Sequence, residues 1–285
     1  MKKKIINIFK FYFSKKLIII FVMGIASGIP LYLILSTLMI WLTRENIDLS
    51  TIGLFTLTQI PWSLKFLWAP LIDSKKLPFL TNKMGKRKSW LFLTQFLLGF
   101  CIILLGNNDP KDFLFFTAIL AFLVAFFSAT QDIIIDAYRI EILDSSSQGA
   151  GAAMTQAGYR FGGIIAGAGA LYYREIVDWD YVFYSVGCLI FCFMFLTFFL
   201  PEKKNNLDNK YSKKKNLSIF IEPLKEFVFR NKIQYVFLIL SFILLFKLGD
   251  VVAGVMANPF YVKLGFSNIE IANASKLFGV IATLI

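Results

Sequence analysis

Two aspartates and an arginine carry the first chemical signal. In the run FLFFTAILAFLVAFFSATQDIIIDAYRIE, Asp132, Asp136 and Arg139 recur at i, i+4 and i+7. That spacing puts them on one helix face with Ser128, and Gln131 lies beside it. Carboxylates in so apolar a run are costly unless they meet water, a bundle interior or a cation. One chemistry that fits is an acid that takes up a proton or couples it to a solute, and the deeper Asp132 is its candidate. The other is an ion-pair cluster at a helix end, which suits Asp136 with Arg139. A second run, GAGAAMTQAGYRFGGIIAGAGALYY, sets Arg160 among glycines. Arg160 reads either as a salt-bridge partner of Asp132 or Asp136, or as an anion-binding group facing a cavity.

Two further charged positions complete the set. Lys65 follows Gln59, Pro61 and Trp62 and either snorkels to the membrane interface or faces a cavity. Lys247 and Asp250, three residues apart, either neutralise each other or face the same cavity. Lys65, Gln131, Asp132, Asp136, Arg160, Lys247 and Asp250 are therefore the candidate proton-coupling or solute-cavity residues.

Other chemistries find no residues. The chain has no His, which removes His-based acid/base work, the Ser-His-Asp triad and His-ligated metals. No GxxxxGK[ST] loop is present, so an ATP-driven engine within the chain is not expected. No nucleophile or acid constellation suggests an enzyme, and neither cofactor nor metal is implied. Cys101, Cys188 and Cys192 lie in apolar runs and read as buried small hydrophobes.

The elements that must position these charges are membrane spans. Of 285 residues, 57% are hydrophobic and 17% charged, below the roughly 25% charge of soluble domains. This excludes a soluble globular enzyme, a disordered chain and a disulfide scaffold. The fold class is all-α and polytopic. Spans are expected at about 17–42, 50–72, 89–106, 112–138, 150–173, 181–200 and 232–257, with an eighth from Ile269 to the end of the sequence. That eighth run is interrupted by Lys276 and reads as an unfinished crossing.

The net charge of +12 is confined to particular loops, which speaks for membrane topology and not for nucleic acid. Six basic residues precede the first span, six follow the second (Lys75, Lys76, Lys83, Lys86, Arg87, Lys88), and eight fall in 201–231. The loops between hold one each: Arg44, Lys111, Arg174 and Lys263. The N-terminus and the loops after spans 2, 4 and 6 are thus placed in the cytoplasm. The domain plan is a basic N-terminus at 1–16, a six-span bundle at 17–200, a cytoplasmic loop at 201–231 and an incomplete second bundle at 232–285.

Small residues mark where helices approach. Gly24 and Gly28 form one GxxxG, Gly158 and Gly162 another, and Gly163 and Gly167 a third. Pro30, just after Gly28, frees a backbone carbonyl one turn back and bends its helix, either as a static kink or as a break lining a cavity.

The loop WAPLIDSKKLPFLTNKMGKRKSW resembles the D…G-[RK]-[RK]-[RK] signature that major facilitator transporters carry between their second and third spans. Asp73 matches its acid, and Gly85, Lys86, Arg87 and Lys88 its basic stretch; Ser74 stands where the general motif has Arg. The blocks GIASGIPLYLILSTLMIWLTRENIDLSTIGLFTL, KFLWAPLID, FSATQDIIIDAYRIEIL and GAGAAMTQAGYRFGG are similar, in this order, to the AmpG-type muropeptide permeases. The resemblance implies a major facilitator fold with a complete first bundle and about one and a half helices of the second. It also implies a symporter that uses protons to import anhydromuropeptides, small-molecule products of cell-wall degradation, with Asp73 and Gly85 to Lys88 as a cytoplasmic latch. Acetyl-CoA carriers resemble the same blocks, and a truncated, non-transporting membrane remnant is the reading from another class.

Overall fold

The structure is a computed structural model that describes residues 11–201 and 233–282. Its first long helix, α1 (Lys15–Arg44), is an apolar run opened at Ser14 and ended at Asn46, whose φ of 61° closes the last turn. Asn tolerates that left-handed conformation better than most residues. Inside α1, Pro30 is followed by a π-helical stretch, Leu33–Leu38. Such stretches widen the helix by one residue per turn and gather at functional places.

The second span, α2 (49–74), starts at Asp48, whose side chain accepts from the Thr51 amide. It is not one continuous helix. Pro61 and Pro70 each stand in the first turn of a helical piece, and 3-10 turns at Phe55–Gln59 and Lys65–Leu67 separate the pieces. Proline supplies no amide to the preceding turn, so the hydrogen-bond ladder breaks there.

The remaining spans are α3 (Lys86–Gly106), α4 (Leu114–Ile142), α5 (148–174), α6 (Trp179–Phe199), α7 (Ile233–Lys263) and α8 (268–282). These bounds lie within a few residues of the expected ones, except that α7 runs on past Pro259 to Lys263. A capping box, Ser267 with Glu270, opens α8. Both α5 and α8 also carry π-helical stretches, Ile164–Gly169 and Ala272–Phe278. No strand occurs among the described residues. Four helices, α1, α3, α4 and α6, are long and apolar enough to cross a membrane by length and composition. Residues 1–10, 202–232 and 283–285 lie outside the described residues, and with them most of the expected basic N-terminus and of the inter-bundle loop.

Lipid is as apolar as leucine, so these helices are held by close packing and hydrogen bonds more than by expulsion from water. The tightest contact joins α1 to α5. A Cβ at Gly24 would strike the Thr155 carbonyl, and one at Gly28 the backbone of Tyr159. In return, a Cβ at Gly158 would meet the Phe21 carbonyl, and one at Gly162 would lie 2.5 Å from that of Ile25. The two GxxxG motifs therefore face each other, backbone on backbone. The third motif parts company: Gly163 lies against the Tyr32 ring and Gly167 against the aliphatic stem of Lys276. A second seam joins α3 to α6, where Gly187 fits against Ile103 and the Gly99 carbonyl.

Large apolar side chains such as Phe100, Phe115 and Phe195 are exposed on the outside of the bundle. The cysteine expectation holds for Cys101, which is buried, and fails for Cys188 and Cys192, which are exposed. Those two share one face of α6, and an apolar run in a membrane can face lipid as well as protein.

Candidate functional site

The candidate site is built where α1, α2 and α4 meet. Asp132 on α4 accepts a hydrogen bond from the Ser27 hydroxyl on α1. Its second oxygen lies 3.7 Å from Lys65 Nζ on α2. The Asp132 side chain is 11% exposed and that of Lys65 37%. The carboxylate is thus the enclosed member of the pair, and the lysine reaches it from a wetter side. Lys65 takes up this position in the 3-10 turn Lys65–Leu67, which re-aims the chain between two helical pieces. Trp62 Nε1 donates to Ser128 Oγ at 3.2 Å, and Trp68 Nε1 to Thr130 Oγ1 at 3.0 Å. These bonds pin α2 to α4 on either side of the ion pair.

Gln131 has another task. Its Nε2 donates to the Ala26 carbonyl at 2.9 Å, and the residue is fully buried. Ala26 is four residues before Pro30, so its carbonyl is the one that Pro30 leaves without an intrahelical donor. Gln131 Oε1 is buried and has no hydrogen-bond partner among the described residues.

The other expected charges separate from this cluster. Asp136 is 3.5 Å from Arg139, and its side chain is 52% exposed. Arg160 is half-buried and, among the described residues, forms no ion pair with Asp132 or Asp136, the partners expected for it; the cation beside Asp132 is Lys65 instead. Lys247 and Asp250 lie on α7, but their side chains are outside the described residues.

At the basic end of the bundle, Arg87 ties three elements together. Its Nη1 is 2.6 Å from Asp73 at the end of α2, and its Nε and Nη2 donate to Glu141 Oε1 on α4 at 2.9 and 2.6 Å. Lys86 Nζ donates to the Asp73 carbonyl, whereas Lys88 Nζ turns to the Phe198 carbonyl on α6 at 2.9 Å. Gly85 holds φ of 84° at the entry to α3, a conformation that favours glycine.

At the opposite end, α7 and α8 close onto α1 and α5. Lys276 Nζ donates to Asn258 Oδ1 at 2.7 Å, and Asn258 Nδ2 donates to the Leu35 carbonyl at 3.2 Å in the π-helical stretch of α1. Arg44 donates to the Phe266 carbonyl at 2.6 Å and to Asn268, and Tyr172 donates to Asn273. The sequence did carry a signal for this lock, a lone lysine within an apolar segment. Ser27 and Glu141 had no such signal, because their partners lie on helices distant in the chain.

Residues 17–285 match the Major Facilitator Superfamily. The chain belongs to that superfamily. It is a multi-pass membrane protein. A Rickettsia conorii protein named as an AmpG transporter is 38% identical over 99% of this chain and 67% of its own length. The anhydromuropeptide permease of Escherichia coli is 36% identical over 94% of this chain, which spans 53% of that permease. An AmpG-named transporter of Rickettsia bellii is 33% identical over 95% of the chain. The superfamily signature was expected at Asp73 and Gly85 to Lys88; of these, Arg87 and Lys86 meet Asp73, Gly85 turns the chain into α3, and Lys88 reaches α6 instead.

Proposed function

We propose that this protein is a carrier, not an enzyme, that imports anhydromuropeptides across the bacterial inner membrane by proton symport, with its N-terminus in the cytoplasm. The substrate class rests on the similarity to the E. coli permease. The single observation that supports coupling is the Lys65–Asp132–Ser27 cluster, an enclosed carboxylate with one cation at 3.7 Å. Protonating Asp132 removes the anion from this pair and leaves Lys65 free to meet another one. A carboxylate that loses its partner in a low-dielectric site is strongly disfavoured, so proton uptake and rearrangement of α2 against α4 are linked.

The ends of the helices support alternating access. The α7–α8 lock on α1 and α5 closes one end, and the glycine seam between α1 and α5 leaves a smooth track for movement. The end bearing Arg87 is the cytoplasmic one by its charge, and there Asp73, Arg87 and Glu141 act as the latch. In this reading 17–200 form the first bundle, 201–231 the cytoplasmic connection and 232–285 part of the second bundle.

The test is uptake of labelled anhydromuropeptide into proteoliposomes, with and without an inward proton gradient. Wild-type uptake is expected to rise with the gradient, and Asp132→Asn is expected to lose that dependence while remaining folded. Gradient-driven uptake that survives Asp132→Asn sinks the coupling assignment. Failure of excess anhydromuropeptide to compete with a transported solute sinks the substrate assignment.

A further inference from the structure

Between the basic ends of α1, α3 and α6 lies an apolar groove of about 370 Å3. Ile18, Ile19 and Val22 of α1 form one wall, and Leu196 and Phe199 of α6 form the other. Two polar groups interrupt it. Gln95 and Thr197 line the groove, and Thr197 Oγ1 donates to Gln95 Oε1 at 2.8 Å. Gln95 is 2% exposed, and its amide nitrogen has no hydrogen-bond partner among the described residues. That donor is open to an acceptor that enters the groove.

The cation at the rim supplies the second signal. Lys15 lines the groove and is exposed, and among the described residues it forms no ion pair and no side-chain hydrogen bond. Its neighbour Lys16 is occupied by Asp144 at 3.7 Å. Lys88 is anchored on the Phe198 carbonyl, next to the groove residue Phe199. The groove thus offers, in order, an exposed cation at its rim, the amide donor of Gln95 and an apolar slot. An anionic phospholipid carries the matching series of phosphate, ester carbonyl and acyl chain.

We infer that this groove is a specific site for one anionic phospholipid, with its phosphate on Lys15, an ester carbonyl at Gln95 and an acyl chain along α1 and α6. The site is separate from the Asp132 cluster and independent of what the protein carries.

The test is native mass spectrometry of the full chain, released from detergent with equal amounts of phosphatidylglycerol and phosphatidylcholine of the same acyl chains. The most firmly retained lipid is expected to be phosphatidylglycerol by about fivefold, the effect of about one lysine beside a headgroup of net negative charge, which the choline ammonium cancels in phosphatidylcholine. Lys15→Glu is expected to abolish that preference. Lys83→Glu, an exposed loop lysine that does not line the groove, is expected to keep it. Equal retention of the two lipids by the wild type, or a preference untouched by Lys15→Glu, overturns the proposal. A photocrosslinker in Ile18→p-benzoylphenylalanine, at an exposed position, reports the occupant directly. A phospholipid adduct supports the site, and a crosslink to another segment of the chain overturns it.

Discussion

Gln131 on α4 donates to the carbonyl of Ala26 on α1 at 2.9 Å, and that carbonyl is the one that Pro30 deprives of its helical donor. A residue 105 positions away thus repairs the break made by a proline in another helix. The bond ties α4 to α1 at the turn where Pro30 interrupts the helical ladder.

A mutant cycle follows from this repair. Gln131→Leu alone leaves the Ala26 carbonyl buried without a donor and is expected to cost about 1–3 kcal/mol. Pro30→Ala returns an amide to that carbonyl, so the two substitutions together are expected to cost less than their sum. The melting temperatures of the four proteins in detergent read this coupling. Strict additivity would show that Gln131 does not serve the Pro30 break.

The glycine seam gives a graded outcome. A Cβ at Gly162 meets the backbone of Ile25 at 2.5 Å and of Ile29 at 2.9 Å, and backbone cannot move aside as a side chain can. Gly162→Leu is expected to drive α1 and α5 apart and leave little monodisperse protein on size exclusion. At Gly167 the nearest atoms are the Lys276 methylenes at 3.5 Å, an ordinary contact. Gly167→Ala is expected to shift stability by less than about 1 kcal/mol. Similar losses at both positions would contradict the assignment of the seam.

The difference between those glycines marks what the amino-acid sequence can and cannot tell. Apolar length and loop charge place eight segments, because the bilayer demands runs of a fixed length. GxxxG spacing identifies surfaces that accept close approach, but not which surface meets which. Gly163 and Gly167 have the same pattern as Gly24 and Gly28 yet touch side chains instead of backbone. The pairing of Asp132 was illegible for a related reason. Spacing along a chain reveals partners on the same helix, as with Asp136 and Arg139, and Lys65 reaches Asp132 from a 3-10 turn of another helix. Asp73 and Gly85 to Lys88 were legible as a motif, while Glu141, the second carboxylate on Arg87, lies 54 residues further on.

Asp48, outside the spans, gives a pH-dependent prediction. Its carboxylate accepts from the Ser50 hydroxyl and from the hydroxyl and amide of Thr51, at the start of α2. These hydrogen bonds, led by Ser50, lower its pKa from the ordinary 3.8 to about 2. A depressed carboxylate contributes stability above its unfolded pKa, and that contribution fades as pH falls from about 4 toward 2. Asp48→Ala is expected to melt below the wild type at pH 7 and to converge with it at about pH 2. A gap that persists unchanged at low pH would assign the loss to something other than the ionised cap.

Arg87 separates the two arms of the proposed latch. Its guanidinium is 13% exposed, while the Asp73 side chain is 50% exposed and that of Glu141 29%. Exposed ion pairs contribute little, because water already solvates both charges. Asp73→Asn is therefore expected to change stability by less than about 1 kcal/mol. Glu141→Gln removes the more enclosed partner, contacted by both Nε and Nη2, and is expected to cost about 1–3 kcal/mol. Arg87→Lys keeps the charge but offers one ammonium where the fork now serves two carboxylates on different helices, so it is expected to fall near Glu141→Gln and not near the wild type. Melting temperatures of the three variants order the arms. If Asp73→Asn proved the most damaging, the latch would hang on the link between α2 and α3, and the tie to α4 would be incidental. If Glu141→Gln is the most damaging, Arg87 holds the basic end of α4 in place, and through α4 the helix that carries Asp132.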